Sequence, residues 1–417
     1  MEIARPHAPT IRDITRRYYT VWGLYSFAGG FLFGVYPIFL HSRGLNQFQI
    51  NSVLATYFVV LFLTDVPTGA FADLLGRRRS YVLGASLRVC AFLLYFVAHH
   101  YYVFLIAESI DGIGTTFGNG AIDAWGVDAL DDAGYDGLKD RLFSRVSQLT
   151  TLGFMGSAMI GAYVADINIA WPWLLGAGGY LVSGVVGALL MHDERPRSTT
   201  VRIATIPRRV AAEVGGGIRA GLGANTVLML SVASAITVAA WVPYWISWPL
   251  MFNERFAVGV WIIGWIYCGL SAARLLGAEV SARVAADEAQ RAARVSMLVV
   301  GASAMLFLAG LFGGRPVVAL VMLFIMNLFT GAMMPLVQSW FNEQLESVNR
   351  ATLLSFRTTF ETMGGSIGLL FAGRIADAEG IPFEWQVAAL ISICAAPVYW
   401  AMRRREDAEV ALASPAK

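Results

Sequence analysis

The sequence predicts an all-α membrane protein with twelve transmembrane helices, arranged as two pseudo-symmetric six-helix bundles. Three observations lead to this fold class: an apolar composition, a series of apolar stretches long enough to cross a bilayer, and an internal repeat. Of the 417 residues, 57% are hydrophobic and only 14% are charged. Soluble domains carry about a quarter charged residues, so we expect the lipid bilayer to surround this chain.

Apolar stretches of about 20 residues recur along the whole chain, and each is long enough to cross a hydrocarbon core of roughly 30 Å as a helix. The predicted spans, numbered 1 to 12 in chain order, are 20–40, 48–72, 80–98, 102–125, 142–165, 171–191, 225–250, 258–281, 295–312, 317–341, 352–373 and 385–401. A basic cytoplasmic linker, 192–224, separates the predicted N-terminal bundle, 1–191, from the C-terminal bundle, 225–417.

The distribution of basic residues predicts the orientation. With the N-terminus in the cytoplasm, 24 of the 31 Lys and Arg residues lie on the cytoplasmic side and only four lie outside. This asymmetry follows the positive-inside rule. We therefore expect an integral protein of the plasma (inner) membrane with both termini in the cytoplasm.

Several classes of function lack support in the sequence. A net charge of +2 does not indicate a nucleic-acid partner. The three cysteines are scattered and predict neither a disulfide framework nor a metal site. No phosphate loop, metal cluster or nucleophile motif occurs, so we expect no enzymatic activity, no cofactor and no metal.

Similar residues recur at about half the chain length. The matched pairs are Tyr36-Pro37 with Val242-Pro243, Gly69-Ala70 with Gly277-Ala278, and Gly153 and Asp166 with Gly364 and Asp377. Their offsets of 206, 208 and 211 follow chain order, which indicates two halves of similar fold.

Spans 2 and 3 are joined by the stretch Gly69–Arg79, GAFADLLGRRR, which we predict to be a short polar hinge. Its pattern, G-x-x-x-D-x-x-G-R-R, resembles motif A of the major facilitator superfamily. The sequence departs from that motif at Leu74, where the family usually has a basic residue. Two six-helix bundles joined by a cytoplasmic linker are also similar to the architecture of that family.

The resemblance implies a cytoplasmic gate. Its residues are Gly69, Asp73, Gly76 and Arg77, with Asp123 of span 4 as a further partner of Arg77. The small residues in the motif are expected to let helices approach closely.

Span 4 carries polar residues along one helical face. These are Glu108, Asp111, Thr115, Asn119 and Asp123, and an uncharged counterpart in span 10 consists of Asn327, Thr330, Met334, Gln338 and Asn342. Carboxylates facing lipid would be costly, so the face should meet protein or water. The resemblance implies that both spans line a central cavity. The alternative for Glu108 and Asp111 is hydrogen bonding between helices that only fixes packing.

Other charges lie inside the predicted spans. By depth, Asp65, Arg88 and Asp111 are expected to form a buried cluster, and Arg357 and Glu361 are spaced for a local ion pair. The resemblance implies that Asp65 approaches the latter pair; a purely structural bridge is the alternative.

The predicted proton-coupling residues are Glu108, Asp111, Asp65 and Glu361, with Arg88 and Arg357 as charge partners and Glu108 as the first candidate proton carrier. Arg274 in span 8 is expected to extend its charge towards the cytoplasm.

Aromatic residues line one face of span 1 and of span 7. We expect Tyr25, Phe33, Trp241 and Tyr244 to form walls for an amphipathic or aromatic substrate, together with Thr115, Asn119, Asn327 and Gln338. Trp22 and Trp248 are better explained as anchors at the membrane interface.

The residues and the resemblance together predict a secondary transporter that moves a small organic solute by alternating access. We expect proton coupling and favour efflux of amphipathic compounds over import of a nutrient or metabolite. A non-transporting membrane sensor or scaffold is the alternative from another class, but it would not need acids near the midplane. The expected partners are a small-molecule substrate, protons and the lipid bilayer, with no nucleic acid, and the protein is expected to be a monomer.

Overall fold

The computed structural model describes residues 10–135, 137, 140–192, 215, 225–283, 288–345 and 350–402, and thirteen helices lie within these ranges, which contain no strand. The helices are α1 (Ile11–Gly30), α2 (Val35–Ser42), α3 (Gln47–Leu75), α4 (Arg77–Val97), α5 (Tyr101–Asp132), α6 (Asp140–Ile167), α7 (Trp171–Leu190), α8 (Asn225–Phe256), α9 (Trp261–Arg283), α10 (Glu288–Leu311), α11 (Pro316–Glu343), α12 (Arg350–Glu379) and α13 (Ile381–Ile393). Nearly all of the predicted linker, 192–224, lies outside the described residues.

The predicted all-α membrane fold class is confirmed. In the described part of the chain, nine helical segments are long and apolar enough to cross a membrane, with Ile11–Ser42 counted as one interrupted span. The other long helices, α5, α6 and α12, carry more polar and charged side chains. The exact number of twelve transmembrane helices stays a prediction.

The chain groups into two compact units. The first contains α1, α4–α7 and the part of α3 from Leu63; the second contains residues 36–62 and α8–α13. Residues 36–62 therefore group with the second unit, although the repeat places them in the first half of the sequence. The predicted bounds of the two six-helix bundles, 1–191 and 225–417, stay a prediction.

A contact between α12 and the start of α3 explains this grouping. The Asp377 carboxylate accepts hydrogen bonds from the backbone N–H groups of Gln47 and Phe48, at 2.8 and 3.2 Å. The first amides of a helix have no partner within the helix and carry partial positive charge. A carboxylate from α12 therefore stabilises the end of α3 that belongs to the second unit.

In the first unit, α4 and α5 cross with their backbones close together. A methyl group on Gly84 would lie 2.7 Å from the carbonyl oxygen of Gly114. A methyl group on Gly114 would lie 2.8 Å from Cγ of Arg88. Small residues permit such close crossings between membrane helices, where tight packing drives association. The crossing brings Arg88 on α4 beside the polar face of α5.

In the second unit, two other helix pairs meet through glycines. Gly364 and Gly368 on α12 face the backbone of Ala235 and Ala239 on α8. Gly331 on α11 faces the backbone carbonyl of Arg274 on α9. These close contacts fix α12 against α8 and α11 against α9.

The predicted polar hinge, Gly69–Arg79, is helical except at one residue. Helix α3 continues to Leu75 and α4 begins at Arg77, so only Gly76 interrupts the helices. Its φ of 95° lies in a region that favours glycine. The expected close helix approach at Gly69 is absent, because a methyl group there would have no described atom within 4 Å.

Candidate transport site

The interior of the first unit contains an ion pair between α4 and α5. Arg88 Nε lies 2.8 Å from Asp111 Oδ1, and Arg88 Nη2 lies 3.1 Å from Asp111 Oδ2. The two side chains are only 11% and 10% exposed. The predicted pairing of these residues is therefore present. Two parallel charged hydrogen bonds offset part of the cost of burying both groups.

Aromatic rings surround the Arg88 guanidinium. Its central carbon lies 4.1 Å from the ring centre of Tyr180, 5.3 Å from that of Tyr25 and 5.7 Å from that of Phe92. The electron-rich ring faces attract a cation. Tyr25 is 4% exposed and packs on Gly118, so in this structure it supports Arg88. A direct contact between Tyr25 and substrate stays a prediction.

Asp65 does not join the Arg88–Asp111 pair, so the predicted three-residue cluster is wrong in this respect. Its side chain is exposed, and no ion pair between Asp65 and Arg88 forms in the first unit. The preceding residue, Thr64, is the one that approaches α5, with its hydroxyl 3.1 Å from that of Thr116. Adjacent positions on a helix point about 100° apart, so Asp65 is directed away from α5.

Glu108 lies one helical turn before Asp111 and has a different partner. It is 5% exposed, and the Tyr95 hydroxyl donates a hydrogen bond to its Oε2. The Tyr95 ring is stacked on Trp173 with ring centres 4.0 Å apart, which holds the phenol in place. Two buried carboxyl groups thus lie on one face of α5, one bound by a guanidinium and the other by a neutral phenol.

Two further predicted residues of α5 differ in what they offer a ligand. Thr115 is 4% exposed and its hydroxyl donates to the Asp111 carbonyl, 2.9 Å away, so it is occupied within its own helix. The side-chain oxygen of Asn119 is buried and has no hydrogen-bond partner in the part of the chain that the structure describes. Asn119 is therefore the better candidate to accept a hydrogen bond from substrate.

Two of the predicted gate residues, Asp73 and Arg77, form a charge cluster with Asp128 near the junction of α3 and α4. Arg77 Nη2 lies 2.8 Å from Asp73 Oδ1, and Arg77 Nε lies 3.7 Å from Asp128 Oδ2 on α5. The Asp73–Arg77 contact was expected from the motif. Asp128 was not identified from the sequence, although it lies on the same helix as the expected partner.

The expected pairing of Asp123 with Arg77 is wrong. The Asp123 carboxylate accepts hydrogen bonds from the Tyr18 hydroxyl at 2.7 Å and from the Trp22 indole at 2.9 Å, both on α1. Asp123 and Asp128 are five residues apart, so their side chains point about 140° apart around α5. Asp128 consequently faces α4, whereas Asp123 faces α1.

The second unit buries two of its predicted substrate residues. Tyr244 is 0% exposed, and its hydroxyl accepts a hydrogen bond from Asn327 Nδ2 at 3.3 Å. Trp241 is partly buried against the hydrophobic core, and its indole N–H has no described partner. In the first unit, Phe33 lies in the turn between α1 and α2, with its ring centre 6.0 Å from that of Phe154. Substrate contacts at Tyr244, Asn327, Trp241 and Phe33 stay predictions.

The predicted ion pair on α12 is present. Arg357 Nε lies 2.7 Å from Glu361 Oε1, and Arg357 Nη1 donates to Gln338 Oε1 at 3.3 Å. The guanidinium also lies over the ring of Phe341, at 4.7 Å. The network joins α12 to the exposed Gln338 on the polar face of α11, while the expected approach of Asp65 to it stays a prediction.

Glu384 is a buried acid that was not among the site residues predicted from the sequence. It is 1% exposed, and neither carboxylate oxygen has a hydrogen-bond partner among the described residues. Span 12 was predicted to begin at 385, which placed this residue in a loop. Helix α13 instead begins at Ile381, after Gly380 with φ 88° and with Pro382 in its first turn. Proline at a helix start and glycine before it are the signals that would have identified the boundary.

Comparison with known proteins identifies the family. The family model of the Major Facilitator Superfamily matches residues 20–286. The chain belongs to this superfamily. It is therefore an integral membrane protein of a transporter family, as the motif in α3 and α4 implied.

Curated proteins are similar over part of the chain. The quinolone resistance protein NorA of Staphylococcus aureus (strain MRSA252) is 20% identical over 171 residues, which cover 41% of this chain and 43% of NorA. The multidrug resistance protein 2 of Bacillus subtilis (strain 168) is 20% identical over 166 residues, 39% of this chain and 40% of that protein. The matched region thus spans about two fifths of the length of these relatives.

Solved structures of superfamily transporters share the fold over nearly the whole chain. A variant of the nucleoside transporter NupG gives a TM-score of 0.73 at 14% identity, covering 93% of this chain and 99% of that one. A bacterial homologue of the human lysosomal transporter Spinster gives 0.73 at 14% identity, covering 96% and 98%. At such low identity these likenesses establish the fold alone.

Proposed function

We propose that the protein exports amphipathic organic compounds in exchange for protons, by alternating access. The observation that carries this proposal is the pair of buried carboxyl groups one turn apart on α5, bound by unlike partners. Intramembrane acids with access to a cavity are the usual elements of proton relays. We further propose a monomer in the plasma (inner) membrane with both termini in the cytoplasm, supported by the distribution of arginines.

The two carboxyl groups have separate roles in this proposal. Asp111 remains bound to Arg88 and fixes α4 against α5. Glu108 is held by the phenol of Tyr95, which has no charge to offset a carboxylate. Protonation of Glu108 changes the group that the Tyr95 hydroxyl contacts, and loss of the proton restores an acceptor for that hydroxyl.

The names of the matched relatives support efflux over import. Those proteins are described as conferring quinolone or multidrug resistance. The aromatic surroundings of the α5 acids also suit amphipathic compounds, since aromatic side chains supply large apolar contact with a defined geometry.

Transport by the reconstituted full-length protein tests the proposal. Proteoliposomes receive either of two fluorescent amphipathic dyes with permanent charge, ethidium or anilinonaphthalenesulfonate, under an imposed pH gradient. An inside-acid gradient should drive accumulation of at least one dye, and nigericin should abolish it. Empty liposomes are the control.

The polarity of the gradient separates the candidate mechanisms, whichever way the protein is inserted. Accumulation only with an inside-alkaline gradient would establish import with protons and overturn efflux by exchange. Equal uptake with and without a gradient would contradict coupling, and the absence of protein-dependent uptake of both dyes would contradict the proposed substrate class.

A further inference from the structure

Among the arginines of the predicted spans, Arg274 is the one without an acidic partner in the part of the chain that the structure describes. Arg88 pairs with Asp111 and Arg357 with Glu361. Within the described residues, Arg274 on α9 forms no ion pair. Its Nη2 lies 2.9 Å from the Sδ of Met334 on α11, and its guanidinium lies 5.9 Å from the ring of Trp245 on α8.

The position of Arg274 along α9 is close to the middle of the helix. It lies nine residues before Arg283 and thirteen after Trp261, roughly 14 and 20 Å along the axis. An arginine carries its charge to the interface only when that interface lies within one side-chain length. The expected extension of this charge towards the cytoplasm stays a prediction; in the structure the guanidinium contacts Met334 and Trp245.

The guanidinium is directed towards a polar surface. Trp265 and Leu276, which are 53% and 60% exposed, lie about 160–180° from Arg274 around α9. On α11, Met334 shares a helical face with Gln338, within about 40°. Arg274 thus turns away from the exposed apolar side of its own helix and reaches the polar face predicted on span 10.

We propose that Arg274, with Trp245 and Met334, binds a carboxylate group of the transported compound. The inference rests on the proposed function and narrows its substrate class to amphipathic compounds that combine an aromatic ring with a carboxylate. The carboxylate of such a ligand would be the anionic partner of Arg274, as Asp111 is of Arg88 and Glu361 is of Arg357.

The three side chains suit the two parts of such a ligand. A guanidinium matches a carboxylate with two parallel hydrogen bonds. The thioether of Met334 is a weak acceptor, so a carboxylate can displace it. Trp245 and the flexible Met334 then provide adaptable contacts for the aromatic part.

Binding of a matched set of probes tests the assignment. Naphthylacetate, naphthylethanol and naphthylethylamine share one ring system and differ in the charge of the end group. Calorimetric titration of the full chain in nanodiscs should give the carboxylate an affinity about tenfold or more above that of the alcohol, since a charged hydrogen bond is worth roughly that factor. The amine should bind less well than the alcohol.

Variants assign the preference to one residue. Arg274→Gln should remove the preference for the carboxylate and leave the affinity for the alcohol unchanged, while Arg274→Lys should retain part of it. Arg283→Gln is the matched control, because Arg283 lies on the same helix, is 77% exposed and pairs with Glu279. This control should bind all three probes as the wild type does.

Three results would overturn the inference. The first is that the wild type shows no preference for the carboxylate. The second is that both Arg274 variants keep the wild-type preference. The third is that Arg274→Gln loses carboxylate and alcohol binding equally, which would show that Arg274 acts in packing. The titration does not involve transport or a pH gradient. A wild-type protein that transports dye but shows no preference for the carboxylate would reject this inference alone. A wild-type protein that prefers the carboxylate but does not transport dye would reject the proposed function alone.

Discussion

A buried guanidinium is stable within a membrane when neighbouring groups accept its hydrogen bonds and offset its charge. Arg88 meets both conditions through Asp111 and the rings of Tyr25 and Tyr180. The cost of burying these charges is therefore recovered only while the pair is intact. The pair is expected to control stability as well as function.

Substitution at Asp111 should reveal this dependence. Asp111→Asn keeps the shape but leaves the Arg88 charge without its counterion, which costs about 3–5 kcal/mol for a buried pair. We expect a clear fall in the melting temperature of the purified protein. The double variant Arg88→Met with Asp111→Leu should recover most of that loss, because apolar replacements of both partners are often neutral, yet it should not restore transport.

Equal melting temperatures for wild type and Asp111→Asn would show that Arg88 has another effective counterion. Failure of the double variant to recover stability, despite a folded state, would show that the two charges stabilise the unit beyond their mutual pairing.

At the scale of single residues, depth was predictable from the sequence but direction around a helix was not. Counting residues from the helix ends placed Arg88 and Asp111 at one level, and they meet. The same counting included Asp65, although Thr64 is the residue that faces α5. A difference of one position turns a side chain by about 100°. How a helix is rotated about its own axis depends on the packing of neighbouring helices, which the sequence of one helix does not show.

At the scale of helices, the crossing of α4 and α5 determines where Arg88 lies. The two backbones approach at Gly84 and Gly114, so a side chain at either position would separate the helices. Gly120 on α5, where a methyl group would meet no described atom within 4 Å, should be more tolerant.

Gly114→Ala should therefore be destabilising. The added methyl group would lie 2.8 Å from Arg88 Cγ and 2.9 Å from the Gly84 carbonyl oxygen, tighter than packed atoms allow. We expect a loss of about 1–3 kcal/mol in unfolding free energy. Gly120→Ala on the same helix has no described atom within 4 Å of the new methyl group and should be neutral or more stable by up to about 1 kcal/mol. Similar stability for the two variants would contradict the role given to the crossing.

The charge cluster at the start of α4 gives a second prediction at this scale. Asp73→Asn and Asp128→Asn each remove an acidic partner of Arg77, so both should slow dye transport by about two- to fivefold, as for partly exposed ion pairs. Asp123→Asn keeps an oxygen that can accept from Tyr18 and Trp22 and should change transport less. Initial rates in proteoliposomes, at matched protein content, provide the comparison. A larger effect at Asp123 than at Asp128 would favour the partner expected from the motif.

Helix boundaries were harder to predict than helix identity. Gly69–Arg79 was predicted to be a hinge because it is polar, yet its backbone stays helical apart from Gly76. Span 12 was similarly predicted to begin at 385, whereas its helix begins at Ile381 and includes Glu384. Within a membrane protein, polarity reports the surroundings of a residue, whereas glycine and proline report the path of the backbone.

At the scale of the whole molecule, the repeat predicted two related halves, and the chain groups into two compact units with different boundaries. Their charges differ: the first unit pairs its interior arginine with an acid, while the second leaves Arg274 without one among the described residues. The grouping of 36–62 with the second unit was not predictable from the repeat, because it depends on where the Asp377 side chain points.

Proton movement driven by substrate is the most direct test of the central claim. Proteoliposomes that contain the pH indicator pyranine are given ethidium or anilinonaphthalenesulfonate without an imposed gradient. Neither dye carries a titratable proton near neutral pH, so any change inside comes from the carrier. We predict that dye entry raises the internal pH in wild type, and that Glu108→Gln exchanges dye without this change. Dye entry into wild-type vesicles at constant internal pH, or an unaltered pH response in Glu108→Gln, would contradict the account.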